Sequence, residues 1–118
     1  RDFTYIENVV QINLKAMFTE RPEAVNQVYN VAFGENTSLN QLVGYLKEYL
    51  TEVDPEIAQV EVVYGPNRAG DIPHSLASIE KAAQLLDYQP QFSILTGLKE
   101  AVKWYATPRT IGANIEAA

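Results

Sequence analysis

The sequence predicts a small α/β lobe, α+β-like in layout, with two short strands covered by about four helices. Apolar residues recur at helical spacing in separate stretches, two short runs are rich in β-branched and aromatic residues, and breaks containing Gly or Pro divide them. The chain has 118 residues, enough for one domain and too few for two.

Arg1 to Tyr5 reads as an extended lead-in. From Ile6 the positions Ile6, Val9, Val10, Leu14 and Met17 follow helical spacing and should face a core. Arg21-Pro22 ends that helix, because the proline ring disfavours helical geometry before it. Val28 to Phe33 alternates β-branched and aromatic side chains and reads as the first strand, followed by a turn at Gly34. Thr37 or Ser38 suits an N-cap, since a hydroxyl oxygen can accept from an orphan backbone N–H. The helix behind it carries Leu39, Leu42, Val43, Leu46 and Leu50 on one face, and Tyr45 and Tyr49 at half-exposed edges.

Asp54-Pro55 closes that stretch, and Val60 to Tyr64 reads as the second strand. Gly65 to Pro73 is too rich in Gly and Pro for anything but a loop. Ser78 is expected to cap a short helix with Ile79, Ala82, Ala83 and Leu86 inward. Ser93 is expected to cap a last helix bearing Ile94, Leu98, Ala101, Val102 and Tyr105, with Trp104 and Tyr105 packed. Residues 1–107 form the expected domain, and 108–118 a tail with disorder expected. Two strands make a marginal sheet, so the lobe is expected to pack on something larger.

Composition narrows the function. Fifteen acidic against nine basic side chains give a formal charge of −6, which repels a polyphosphate backbone and argues against nucleic acid as a partner. One or two well-placed arginines can still hold a small diphosphate. Without cysteine there is no disulfide and no thiolate metal site. No apolar run approaches a membrane span and no signal peptide is visible, so no membrane partner is expected. A chain beginning at Arg1 reads as a piece of a longer protein.

Familiar catalytic constellations are missing. The sequence holds no glycine-rich dinucleotide fingerprint, Walker loop or nucleophile elbow, and no Tyr-x-x-x-Lys pair. His74 alone cannot bind a metal and reads as a partly buried structural residue or one at a helix start. What remains is anion and ribose recognition. In Arg68-Ala-Gly-Asp71 the guanidinium offers a planar fork for phosphate, Gly70 permits a tight turn, and the Asp71 carboxylate can accept from paired hydroxyls. On local pattern alone ordinary loop chemistry is the favoured reading, as is a frayed terminus for Arg1. Asp2 stands near a helix start, where it could meet the positive end of the dipole.

Several blocks in order carry a resemblance. Arg1-Asp2-Phe3-Thr4-Tyr5-Ile6, Asn26 to Ala32, Thr37 to Leu42, Arg68 to Ser75, Lys81 to Pro90 and Gly97 to Tyr105 together resemble the extended short-chain dehydrogenase/reductases of the NAD-dependent epimerase/dehydratase family. Within it the chain is most similar to UDP-sugar 4-epimerases, and residues 70–77 lean toward those acting on UDP-N-acetylglucosamine. The resemblance implies the C-terminal, UDP-sugar-binding lobe of a Rossmann-type enzyme. It implies a cytoplasmic parent that epimerises C4 through a transient 4-keto sugar.

By position, the resemblance makes Arg1 and Arg68 diphosphate contacts and Asp71 a ribose contact. NAD and the catalytic Tyr and Lys would belong to the missing N-terminal Rossmann half, leaving this piece with no cofactor and no activity. UDP-sugar and that half are the implied partners, and apolar surface left uncovered would invite self-association. Sister chemistries, 4,6-dehydration and decarboxylation, share this half, and a non-catalytic α/β interaction module is the remaining alternative. Three departures stand out. Ser78 replaces a frequent Asp, Asp87 replaces a Gly at the end of the helix, where a left-handed position would cost some stability, and Glu7-Asn8 replaces a more acidic pair as a surface change.

Overall fold

The computed structural model describes residues 1–107; the tail expected over 108–118 lies outside them. Among the described residues there are four α-helices: α1 (Ile6–Met17), α2 (Leu39–Thr51), α3 (Glu80–Leu86) and α4 (Ile94–Ala106). Short 3-10 turns at Pro22–Ala24 and Pro55–Gln59 begin at the two prolines expected to stop helices. α1 packs on α3 and α2 on α4. None of these helices is long and apolar enough to cross a membrane.

No strand forms among the described residues, so the expected α/β class is corrected to all-helical. Both β-rich runs lie outside regular structure; several backbone groups of the first, and Val60 O of the second, are taken by side chains instead of a ladder, which meets the same bonding requirement locally. Lys81 Nζ donates to Val28 O at 3.0 Å and the Tyr88 hydroxyl to Ala32 O at 2.8 Å. The Asp2 carboxylate accepts from the N–H groups of Phe33 and Gly34 at 3.1 and 3.0 Å. Lys47 Nζ takes Val60 O at 2.7 Å. Val28 and Val63 stay 85% and 88% exposed, so these two lack the cover that makes β-branched residues favourable in a strand.

The core is small. Ile12, Ala24, Ala82, Leu86 and Tyr88 form one buried cluster, with Tyr29, Ile79 and Leu85 packed against it. The radius of gyration is 18.5 Å, well above the roughly 13.5 Å of a compact domain of this length. Much apolar surface is left outside. The expected inward face of α1 is corrected by it: Ile6, Val10, Leu14 and Met17 are exposed, and Asn8 and Ile12 are buried. Tyr105 and Trp104, expected to pack, are 76% and 52% exposed and meet edge to face at 4.7 Å between centroids.

Asn8 is not a surface change, since only 1% of it is exposed. Its Nδ2 donates to Phe92 O at 2.8 Å, and its Oδ1 accepts from the N–H groups of Gln91 and Phe92 at 2.9 and 3.1 Å. One turn on, Gln11 donates to Gln89 O and accepts from Gln89 N. Two amide side chains on one face of α1 thus bind the segment after α3 as a neighbouring strand would. That segment delivers Phe92 to Tyr5, ring centroids 5.0 Å apart.

Helix ends follow local chemistry. Ser38 and Gln41 form a reciprocal capping box at the start of α2, and Ser93 accepts from Thr96 N at the start of α4. Ser78 is displaced from its expected role: Ile79 is the cap position of α3, and Ser78 Oγ accepts from Glu80 N at 3.4 Å. Asp87 ends α3 in the left-handed conformation, φ 53° and ψ 34°, which Asp tolerates better than most residues. Arg21 secures that end, bonding Gln84 O at 3.0 Å and Asp87 Oδ2 at 2.9 Å.

Candidate functional site

A cleft of about 570 Å³ opens where the start of the chain meets the first turn of α2 and the 68–71 loop. Its wall includes Arg1, Arg68 and Asp71, the three residues singled out in the sequence. They come from regions nearly seventy residues apart, so the fold and not chain proximity collects them.

Three local devices hold the near side. The Arg1 backbone nitrogen donates to Thr37 O and Thr37 N donates back to Arg1 O, both at 2.8 Å. The Asp2 carboxylate grips the Phe33 and Gly34 amides, where Gly34 supplies a φ of 91° that a side chain would resist. The capping box at Ser38 then fixes the direction of α2, bringing Leu39 to the cleft. Asp2 is therefore a structural anchor and not a partner of the α1 dipole. The sequence carried only a weak sign of this, a carboxylate able to satisfy the amides of a later glycine turn.

The far side is a tight turn. Asp71 N donates to Arg68 O at 3.2 Å, and Gly70 between them has φ 80°, as the third position of a type II turn requires. Asp71 sits at the last position of this turn and forms an ion pair with the Arg1 guanidinium across the cleft. Their side chains are 35% and 50% exposed, so the pair is open to solvent. Arg68 is exposed and has no ion-pair partner among the described residues. Phe3 and Leu39 add apolar wall that sequence reasoning did not assign to the site.

Two arginines and two aspartates face or flank this cleft in a chain of net charge −6. Asp2 is committed to backbone amides and Asp71 to Arg1, which leaves Arg68 as the cleft cation with no ion-pair partner among the described residues. Such an arrangement can take an anion at the arginines and hydroxyl donors at Asp71. His74 lies outside it, exposed on the loop and not partly buried as expected. No cluster of His, Cys, Asp and Glu among the described residues could hold a metal ion.

Among the described residues, Tyr88 has a displaced pKa. Burial, helped by the negative charge of Asp2, raises its phenol above the ordinary value of 10.0. Tyr88 is 1% exposed and bonded to Ala32 O, next to the amides that Asp2 holds. It braces the floor behind the cleft and does not line it.

No family model matches the chain. Curated proteins do. UDP-glucuronate 4-epimerase 4 of Arabidopsis thaliana is 32% identical over 115 residues, covering 89% of this chain and 25% of the relative. A putative UDP-glucose 4-epimerase of Methanocaldococcus jannaschii is 30% identical over 105 residues, covering 88% of this chain and 30% of the relative. A UDP-glucuronate 4-epimerase of Thermodesulfobacterium geofontis is 29% identical over 105 residues, covering 88% and 29%. The chain thus spans between a quarter and three tenths of the length of these relatives. Over most of its length the chain is thus similar to one portion of proteins named UDP-glucuronate and UDP-glucose 4-epimerases.

Proposed function

We propose that this chain forms the UDP-binding side of an NAD-dependent nucleotide-sugar 4-epimerase. In this reading Arg68 and Arg1 hold the diphosphate, and Asp71 accepts hydrogen bonds from the ribose diol. The observation that carries it is the meeting of these residues in one cleft, whose volume of about 570 Å³ lies within the range of small-molecule sites. The relatives' names, which speak of UDP-glucuronate and UDP-glucose, support the ligand class.

The described residues do not fit NAD. The glycines at 65 and 70 stand in a loop with no strand before it, and the next helix begins only at Glu80. The proposal therefore seats NAD and the catalytic Tyr and Lys in a Rossmann half outside this chain, and the chain alone is inactive. Its own contribution is grip. Binding energy from the UDP end holds the substrate while the sugar end, untouched by these residues, is left free to react and turn.

Calorimetry with UDP tests this on the wild type and on the Arg68→Ala, Asp71→Ala double variant. Saturable binding by the wild type, weakened at least tenfold in the double variant, is expected. Equal affinity in the two proteins would move the nucleotide to another surface.

A further inference from the structure

The ion pair inside the cleft has a consequence for selectivity. Arg1 is already occupied by Asp71, while Arg68, three residues before Asp71 and tied to it by the turn hydrogen bond, is open. An incoming anion meets Arg68 first. To engage Arg1 as well it must replace the Asp71 carboxylate.

For a bare anion such as pyrophosphate that exchange is poor. It takes Arg1 from Asp71 and leaves the carboxylate without a partner beside new negative charge, a like-charge contact that opposes binding. For a nucleoside diphosphate the exchange balances. The phosphates take Arg1, and the ribose hydroxyls donate to the carboxylate that was released. We infer that Asp71 guards Arg1, so that the cleft admits ligands bringing a ribose diol together with phosphates and discriminates against phosphates alone. This rests on the proposed placement of the nucleotide at these residues and adds a selectivity role for the Arg1–Asp71 pair.

The pair is solvent-exposed, with 35% and 50% of its side chains accessible. Its release is therefore worth only a modest factor, roughly two- to fivefold in affinity. The test measures binding of inorganic pyrophosphate, UDP and 2′,3′-dideoxy-UDP to the wild-type chain, to Asp71→Asn and to Arg68→Ala. Circular dichroism verifies that each variant is folded.

In Asp71→Asn, pyrophosphate and dideoxy-UDP should each bind about two- to fivefold tighter than to wild type, while UDP binds more weakly and its preference over the dideoxy analogue collapses. Unchanged or weaker pyrophosphate binding in Asp71→Asn overturns the guarding role. If Arg68→Ala still lowers affinity for all three ligands in that event, the nucleotide placement stands without it. Affinities indifferent to both substitutions overturn the placement and the guarding role together.

Discussion

Replacing Asn8 with Ala probes how the open helical frame is held. Asn8 is 1% exposed and makes three hydrogen bonds to the backbone of Gln91 and Phe92, between 2.8 and 3.1 Å. Each such bond contributes about 1 kcal/mol net, and a buried backbone group left unsatisfied costs somewhat more. Gln91 is exposed, so water can recover part of the loss at its amide. The sum is a destabilisation of about 2–3 kcal/mol for Asn8→Ala.

Asn8→Asp sharpens the test. Its carboxylate keeps both acceptor bonds but sets a buried negative charge against Phe92 O, so its cost should at least equal that of Asn8→Ala. Urea denaturation followed by far-UV circular dichroism gives both values, and an unchanged slope shows that the unfolded states are comparable. Asn8→Ala within about 0.5 kcal/mol of wild type would refute the claim that side-chain amides on α1 replace a strand partner.

Two further outcomes follow from the packing. Gly97→Ala would put a Cβ 2.7 Å from Tyr5 Cβ and 2.9 Å from its Cγ; overpacking of about 1–3 kcal/mol outweighs the roughly 1 kcal/mol gain in helix propensity. A melting temperature at or above wild type would show that α4 and Tyr5 do not approach this closely. Tyr88 has a raised folded pKa, so the native state keeps its proton where the unfolded chain releases it. Its contribution is complete below pH 10 and is lost as pH rises from there through the folded pKa. Tyr88→Phe should flatten this alkaline decline in the urea midpoint, and an unaltered slope would exclude Tyr88 as its source.

Helix boundaries and turns were the legible part of the fold, because their signals are local. Ser38 and Ser93 cap where a hydroxyl before an apolar run should, Pro22 and Pro55 interrupt where they must, and Gly70 takes the turn that only glycine adopts freely. Burial was less legible. Ile6, Val10, Leu14 and Met17 have the periodicity of a core face, yet Asn8 and Ile12 are the residues α1 buries. Periodicity finds an apolar stripe without saying what lies against it.

The strands failed for a related reason. Val28–Phe33 and Val60–Tyr64 have the composition of strands, but a strand also needs a partner; Lys81, Tyr88 and Asp2 bond the backbone of the first run instead, and Lys47 takes Val60 O of the second. Of the candidate site, Arg1, Arg68 and Asp71 could be singled out through a resemblance in sequence. Their meeting in one cleft, and the Arg1–Asp71 ion pair, depend on contacts across seventy residues that no local pattern encodes.

The most direct test of the nucleotide placement is a titration of the isotope-labelled chain with UDP, followed by amide chemical shifts. The account predicts saturable shifts centred on Arg68 to Asp71, Phe3 and Leu39, which share the cleft wall. Saturable shifts centred instead on the exposed face of α1, or around Trp104 and Tyr105, would contradict it.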